Sequence, residues 1–366
     1  MSCFSNVKNN KLSIILILIK SRIEGNNIRT FIILASMPDR KKISRVAIEI
    51  MVLLGLWVWC SFVIYFSGLP EPWALIASGI FIGGILLAFV VYPRRRWAAY
   101  GTFILCLLIL IGWSQKKPSH DRDWAPSVAK LPYALIEGDQ AKIHNIRNFD
   151  YRTEKDFSVG YYDKTYDLNK LETVDYVLSY WDGNEAVAHS IFSFGFGDGD
   201  YLAVSVETRL EKGEPQSALR GLFKQYEQIY VLGDERDLIR LRTNFRKEDV
   251  YLYPTVVDKD DVRKLFEVIL ERVNKIAEQP AFYNTLTQNC LSSLVADFKK
   301  VITPRSLFDF RRLASGYSDE MLFENGWIDS KLSFEETKRF HHINQYVQDD
   351  TIGDDYSIKI RPFIVR

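Results

Sequence analysis

Three long apolar stretches within residues 46–113 constrain this chain more than any other feature of its sequence. A helix of about 20 apolar residues crosses the hydrocarbon core of a bilayer, and lipid offers no hydrogen bonds to a backbone in other conformations. The stretches run from Val46 to Phe66, from Trp73 to Tyr92 and from Trp97 to Trp113. We therefore predict a three-helix transmembrane anchor at residues 46–113.

Basic residues set the expected orientation of this anchor. They cluster at residues 40–45 and again at residues 94–96, whereas the link between the first two stretches carries none. Loops rich in Lys and Arg stay in the cytoplasm. The N-terminal segment, residues 1–45, is therefore expected to be cytoplasmic, and everything after residue 113 lies on the other side. Met37 precedes the basic cluster and is the expected natural start, which makes residues 1–36 a gene-model extension.

Residues 114–345 have the mixed pattern of an α+β domain, and residues 346–366 form an acidic, loosely patterned tail. Alternating apolar and polar residues predict strands, two of which a Gly/Asp turn at residues 197–200 joins as a hairpin. Apolar residues at helical spacing predict helices over Asp258–Glu278 and from Cys290 onwards, and mostly helical structure from Thr303 to Gln348. The predicted strands are Asp175–Trp181, Val187–Phe196, Tyr201–Leu210, Glu227–Leu232 and Val250–Tyr253.

Charge and cysteine usage exclude several classes of function. The 47 basic and 46 acidic residues balance, so we expect no binding of nucleic acid. The four cysteines form no Cys-x-x-Cys pair, and no His-x-x-x-His spacing occurs. We therefore expect no metal site and no cofactor. Cys290 is the only cysteine after residue 106, and its simplest interpretation is a small buried side chain.

Cys290 has a position that suits a nucleophile. Asn289 is a favourable N-cap, which places Cys290 on the first turn of its helix. The unpaired backbone N–H groups there lower a thiol pKa and can bind an oxyanion, with the Asn289 side chain as a possible further donor. His189 lies on a predicted strand, where a rigid backbone can hold an imidazole as the general base. A structural strand histidine is the alternative.

A third group usually orients the imidazole, and the strand after the turn offers Ser205, Glu207 and Thr208. A four-residue turn would place Thr208 opposite His189, and a slip of one residue would place Glu207 there. Glu207 is our candidate because an ionised carboxylate accepts a hydrogen bond. A solvated strand acid is the alternative.

The remaining histidines and several arginines have weaker claims. His120, His341 and His342 are expected to be solvated, while a role for His144 stays open. Arginines near an anionic lipid surface could bind a substrate headgroup, although salt bridges are the default. The candidates are Arg147, Arg220 and Arg242.

Six segments in chain order resemble signature segments of the Lnb-type family of bacterial lipoprotein N-acyltransferases. The resemblance extends from about Asp123 to Gln345. The segments are Asn-Ile-Arg-Asn-Phe-Asp-Tyr-Arg at residues 145–152, Ala-His-Ser-x-x-Ser-Phe at 188–194, Val-Ser-Val-Glu-Thr-Arg at 204–209, Tyr-Val-Leu-Gly-Asp-Glu-Arg-Asp with Arg-Leu-Arg-Thr-Asn at 230–244, Tyr-Asn-x-x-x-x-Asn-Cys at 283–290 and Gly-Tyr-Ser-Asp-Glu at 316–320.

The resemblance implies a circularly permuted, NlpC-type papain-like fold, in which His189 precedes Cys290. It also implies an inner-membrane protein with a periplasmic catalytic domain. The implied reaction moves an acyl chain from a phospholipid donor to the α-amine of a diacylglyceryl-cysteine lipoprotein. Two alternatives remain: a cell-wall peptidase or amidase that uses the same pair, and a non-enzymatic, membrane-tethered interaction domain in which Cys290 is merely buried.

Overall fold

The structure is a computed structural model, and the chain divides into two compact units, Met1–Gln115 and Lys116–Arg366. The residues it describes are 14–21, 29–36, 40–91, 95–181, 183–197, 199–301, 311, 314–328, 330–347, 353 and 355–363.

The first unit contains the three apolar helices predicted from the sequence. Each is long and apolar enough to cross a membrane. Most of their large apolar side chains are exposed, as is usual for helices whose solvent is lipid, and a small cluster around Cys60, Phe81 and Cys106 joins them. The elements are a hairpin of β1 (Ile14–Ser21) and β2 (Arg29–Ser36), then α1 (Arg40–Tyr65), α2 (Glu71–Val91) and α3 (Arg95–Ser114).

The second unit is built on an eight-stranded mixed sheet. The strands are β3 (Tyr133–Glu137), β4 (Gln140–Arg147), β7 (Tyr161–Asp167), β8 (Thr173–Tyr180), β9 (Ala188–Gly195), β10 (Tyr201–Arg209), β11 (Glu227–Gly233) and β12 (Asp249–Pro254), with β5 (Asp150–Tyr151) and β6 (Phe157–Ser158) in a separate ribbon. The order in the sheet is β12-β8-β9-β10-β11-β4-β3, with β7 also paired to β4. Neighbours are antiparallel except β11 and β4, which are parallel.

Helices pack on this sheet and complete the α+β fold that the sequence predicts. The predicted helix over Asp258–Glu278 begins at Lys259, because the Asp258 side chain caps it. Between Thr303 and Gln348 the described residues form only short helices and turns, fewer than predicted. The helices are α4 (Ala218–Gly221), α5 (Glu235–Leu238), α6 (Lys259–Glu278), α7 (Cys290–Val301), α8 (Ser318–Glu324), α9 (Phe334–Phe340) and α10 (Tyr356–Lys359).

The sheet separates two apolar cores. One face packs against α6 and α7 through side chains that include Phe194, Phe266 and Leu294. The other face packs against the C-terminal part of the chain, with Ile191 and Val231 meeting Ile360. The helix that starts at Cys290 is therefore held on a fully buried layer, which gives its N-terminus a fixed place over the sheet.

The hairpin of β9 and β10 has a shorter loop than predicted. The backbone N–H of Phe196 donates to the carbonyl of Asp200 at 2.9 Å, so the loop has three residues rather than four. Gly197 and Gly199 both adopt positive φ angles, near 77° and 78°, which glycine permits without steric cost. The three-residue loop shifts the register by one residue from that of a four-residue turn. This register aligns Glu207, the chosen candidate, with His189 and excludes Thr208.

The C-terminal segment is part of the fold rather than a loose tail. Arg361 is buried, and its Nε donates to Asp175 Oδ2 at 2.8 Å. Its Nη1 donates to Glu235 Oε2 at 2.8 Å. Tyr356 and Ile360 are also buried, so the segment covers one face of the sheet. The sequence did not predict this arrangement, because the acidic residues of the C-terminal segment are typical of a solvated tail.

Candidate active site

The site begins at the N-terminus of α7, where Asn289 caps the helix as predicted. Asn289 Oδ1 accepts from the Ser292 backbone N–H at 2.7 Å, and Ser292 Oγ accepts from the Asn289 N–H at 2.8 Å. This reciprocal pair satisfies two of the helix's free donors. Cys290 follows on the first turn and is buried, with only 6% of its surface exposed.

The Cys290 thiol lies beside the His189 imidazole, and each of the two groups shifts the pKa of the other. The backbone N–H of Ser190 also favours the thiolate form of Cys290. The ladder between β9 and β10 ends at the pair Ile191–Ser205, and His189 lies two residues from it on β9. Cys290 and His189 are about a hundred residues apart in sequence, and they lie next to each other in the structure as predicted.

Ser205 and Glu207 hold the other side of the imidazole. His189 Nε2 lies 2.6 Å from Ser205 Oγ and 3.2 Å from Glu207 Oε1. Ser205 Oγ donates its proton to the same Glu207 oxygen at 2.7 Å. The Ser205 oxygen therefore accepts a hydrogen bond from the N–H at His189 Nε2. Nδ1 is then the nitrogen that faces Cys290. The register agrees, because two residues beyond the pair Ile191–Ser205 are His189 and Glu207.

These contacts favour a thiolate–imidazolium pair. Burial and Arg242 oppose charge on His189, but Glu207 and Cys290 outweigh them and raise the pKa of His189 to about 9. Burial also opposes the thiolate, but the His189 charge and the Ser190 N–H outweigh it and lower the pKa of Cys290 below its ordinary value. Despite burial, His189 and Arg242 hold the pKa of Glu207 well below its usual range.

Arg242 supports the site instead of lining a substrate-binding surface. Its side chain is 5% exposed. Nη2 donates to Glu207 Oε1 at 3.1 Å and Nη1 to Glu248 Oε2 at 3.3 Å. Glu248 in turn accepts from Ser179. With both carboxylates in place, the guanidinium has structural partners, and the expectation that Arg242 binds a headgroup is corrected.

Sequence reasoning missed the supporting pair of Ser179 and Glu248. Ser179 lies directly opposite His189 in the register of β8 and β9. A polar residue in the middle of a buried strand was the available signal, because a buried hydroxyl needs a partner. Glu248 carried no such signal, since it lies in a turn between a short helix and β12.

Arg147 is likewise a structural residue. Its guanidinium donates two hydrogen bonds to Asp237, from Nη2 to Oδ1 at 2.7 Å and from Nε to Oδ2 at 3.0 Å. Both side chains are buried, so the predicted binding of a headgroup is corrected here as well. Arg220, the third candidate, is half-exposed and lies 4.0 Å from Glu214.

The other histidines have partners outside the thiol site. His144 Nδ1 lies 2.7 Å from Asp163 Oδ2, and His120 contacts Arg209. His342 Nε2 lies 3.1 Å from Asp249 Oδ1. His341, expected to be solvated, is buried with its ring against Phe363, so that expectation is wrong. No cluster of three potential metal-binding side chains occurs among the residues that the structure describes.

Comparison with protein families gives a match to the model of the Lnb N-terminal periplasmic domain over residues 159–316. The matched range includes His189, Glu207 and Cys290. Comparisons with curated proteins and with solved structures give no significant match. With three helices able to span a bilayer, the chain is a membrane protein with a periplasmic domain. Residues 159–316 thus match the Lnb N-terminal periplasmic domain, and this match is consistent with the resemblance of the chain to the Lnb-type family.

Proposed function

We propose that this chain is a membrane-anchored thiol acyltransferase that acylates the α-amine of diacylglyceryl-cysteine lipoproteins. The main support is the chain of contacts from Cys290 through His189 to Glu207, inside a domain whose family points to lipoprotein processing. A buried thiol paired with a buried, oriented imidazole is the arrangement that nucleophilic catalysis needs.

In the first step the Cys290 thiolate attacks the carbonyl carbon of a phospholipid ester. The backbone N–H of Cys290, at the helix N-terminus, stabilises the oxyanion. The carbon–sulfur bond forms, the ester carbon–oxygen bond breaks, and the His189 imidazolium gives its proton to the departing lysophospholipid oxygen. The product is an acyl thioester on Cys290 beside a neutral His189.

In the second step the lipoprotein amine attacks the thioester. The carbon–nitrogen bond forms and the carbon–sulfur bond breaks, which returns the thiolate. Neutral His189 accepts the proton that the amine loses, with Glu207 stabilising the new imidazolium. The ion pair is then restored, so no external acid or base is needed.

The anchor fits substrates that both reside in a membrane. Phospholipid donor and lipoprotein acceptor diffuse in two dimensions beside a tethered domain, which raises their effective concentration. We propose the bacterial inner membrane as the location, with the N-terminal segment in the cytoplasm, because Lys and Arg cluster before α1 and between α2 and α3.

Vesicles that contain a phospholipid with a labelled acyl chain test the proposal on the full-length protein. We expect label at Cys290 that neutral hydroxylamine removes, followed by transfer to a diacylglyceryl-cysteine peptide. Cys290→Ala should abolish both signals, while Cys106→Ala, in the membrane unit, serves as the matched control and should retain them.

Other results would favour the alternatives. Cleavage of a cell-wall peptide without labelling from lipid would favour the peptidase or amidase. Full biological function of Cys290→Ala would leave only an interaction domain. In both cases the proposed acyl transfer would be wrong.

A further inference from the structure

Two exposed leucines lie beside the segment that leads to the candidate nucleophile. Leu286, in the loop of residues 282–288 before α7, is 50% exposed, and Leu219 in α4 is 42% exposed. The loop contacts α4, because Thr285 Oγ1 donates to the Ala218 carbonyl at 2.7 Å. Each leucine directly follows one of the two residues in this contact. We call the surface formed by α4 and this loop the leucine surface.

The loop presents Leu286 from an ordered turn. The side-chain Oδ1 of Asn284 accepts hydrogen bonds from the backbone N–H groups of Leu286 and Thr287, both at 3.0 Å. The loop also packs directly on α4, where a Cβ added at Gly221 would lie only 2.3 Å from Thr285 Oγ1. Because no side chain separates the two segments, Leu286 has a fixed place on the leucine surface although half of its area is exposed.

Lysines flank the apolar part of this surface. Lys116 Nζ lies 5.9 Å and Lys224 Nζ lies 5.6 Å from the centre of the Phe282 ring. Exposed leucines alone are ordinary on a soluble protein. Apolar side chains flanked by lysines, whose long side chains hold their charge on the water side, are instead typical of segments in the lipid–water interface. The composition of the leucine surface therefore suits contact with a bilayer.

The covalent chain brings this surface to the membrane. The helix α3, which is apolar and long enough to span a bilayer, ends at Ser114. Lys116 follows two residues later, and two residues span at most about 7 Å. The headgroup layer of one leaflet is about 5–8 Å thick, so a spanning α3 keeps Lys116 at the level of the headgroups. The Phe282 ring beside Lys116 is then within reach of the lipid.

Asn289 connects the leucine surface to the candidate nucleophile. Its Nδ2 donates to the Thr285 carbonyl at 2.8 Å, while its Oδ1 caps α7. Both ends of the side chain therefore hold the loop against the helix that begins at Cys290. The expectation that Asn289 supplies an oxyanion donor is corrected, because its amide is engaged in this link.

We propose, on the basis of the acyl transfer proposed above, that the leucine surface docks on the lipid leaflet next to the periplasmic domain and holds Cys290 close to it. Leu219 and Leu286 insert at the boundary between headgroups and acyl chains. Lys116 and Lys224 remain beside the lipid phosphates. The acyl donor then reaches the thiol from the leaflet without full extraction into water.

Fluorescence quenching in vesicles of phosphatidylethanolamine and phosphatidylglycerol tests the docking on the full-length protein. Leu286→Cys carries an environment-sensitive fluorophore in a background of Cys3→Ser and Cys290→Ala, in which the remaining cysteines are buried. We expect lipids with a nitroxide near the headgroup to remove about half of its emission or more, because apolar side chains of interfacial segments lie about 5–10 Å deep. Leu332→Cys, before α9, is the matched control at a leucine that is 47% exposed, and its emission should not fall.

A second measurement follows acylation of Cys290 in the same vesicles. In Leu286→Asp we expect acylation from labelled phospholipid to slow by about tenfold or more, because a charge replaces an apolar side chain that the lipid buries. Acylation by p-nitrophenyl butyrate, a water-soluble ester, should stay within about twofold, since substitutions at exposed sites have small effects on the fold. Leu332→Asp should leave both rates unchanged.

Several results would overturn the docking. Equal quenching at the two labelled positions would do so, and so would no quenching at position 286, which would favour a protein partner for this surface. Equal slowing with both esters in Leu286→Asp, or no change with either, would also overturn it, because the substitution would then not act on lipid contact. Quenching at position 286 without any acylation of the unmodified protein would instead refute the proposed thiol chemistry and leave the docking in place.

Discussion

The proton on His189 decides when the proposed chemistry can run. Its pKa is raised to about 9, while the pKa of Cys290 is lowered from its ordinary value. The thiolate–imidazolium pair therefore exists between these two values. Below this window the thiol holds its proton, and above it the imidazolium is lost and cannot protonate a leaving oxygen.

We predict a bell-shaped pH dependence for thioester formation from phospholipid. The rate should rise on the acidic side as Cys290 ionises and should fall as the pH passes about 9, when His189 loses its proton. Alkylation by iodoacetamide needs only the thiolate, so it should show the rise without the fall. Thioester formation that stays constant well above pH 9 would contradict the assignment of His189 as the acid.

Glu207→Gln tests the origin of the raised pKa. Glu207 is the first of the groups that raise the pKa of His189, so its neutralisation should move the alkaline limb of the profile to lower pH. At neutral pH we expect acylation to slow by about tenfold or more, because less imidazolium is present and the ring is less well oriented. Paired pH–rate profiles of the two proteins measure this shift.

The same substitution changes stability in a predictable direction. The folded-state pKa of His189 lies above its unfolded value near 6.5, so this pair stabilises the fold below that value and the contribution disappears as the pH rises through about 9. Glu207→Gln should remove it. Glu172→Gln, a control at an exposed acid that pairs with Lys259, should alter neither property. An unchanged alkaline limb in Glu207→Gln would contradict the assigned cause.

At the scale of single residues, the sequence predicted Cys290 and His189 better than it predicted the side chains that hold them in place. Cys290 and His189 follow from a helix start and a strand, both of which have strong local signals. The choice between Glu207 and Thr208 depended on whether the hairpin loop has three or four residues. The positive φ angles of Gly197 and Gly199 permit the three-residue loop, which favours Glu207. The partners of Arg242 lie on separate strands and turns, so no local pattern could have paired them.

Among the elements, α10 and the residues after it are the least expected part of the fold. Arg361 neutralises two buried acids, Asp175 in β8 and Glu235 at the start of α5. A buried charge without its partner is strongly destabilising. The segment therefore fastens one side of the sheet that also carries His189 on β9.

Arg361→Met should destabilise the protein by about 3–5 kcal/mol, since it leaves Asp175 and Glu235 buried without a counter-charge. Urea unfolding of the full chain in detergent, followed by near-ultraviolet circular dichroism, measures the change. Lys359→Met is the control, because its pair with Asp355 is exposed, and we expect a change below about 0.5 kcal/mol. Equal effects of the two substitutions would show that the Arg361 contacts do not hold the fold.

Element prediction succeeded where periodicity was long or regular. The twenty residues of α6 and the alternation of β8 and β10 are strong signals. The strands β3, β4 and β7 were missed because their exposed positions alternate irregularly with buried ones. In β4, Asn145 adopts a positive φ and the register with β7 shifts. The alternation of buried and exposed side chains that identifies a strand is therefore interrupted in β4.

For the molecule as a whole, the division into two units separates two tasks. The second unit has its own sheet, two apolar cores and the complete set of contacts around Cys290. The first unit supplies helices that are long and apolar enough to cross a membrane. The chemistry and the membrane attachment should therefore be separable by experiment.

Removal of residues 1–115 tests this separation. We expect the fragment of residues 116–366 to be acylated at Cys290 by p-nitrophenyl butyrate at a rate within about twofold of the full chain, because the contacts around the thiol are retained. Acylation from phospholipid vesicles should fall by about 100-fold or more, because the tether no longer concentrates the domain at the lipid surface. Thioester formation per protein, measured for both substrates, gives the comparison, and full-length Cys290→Ala sets the background. Equal rates of the two proteins on vesicles would mean that the helices do not deliver the thiol to its lipid substrate.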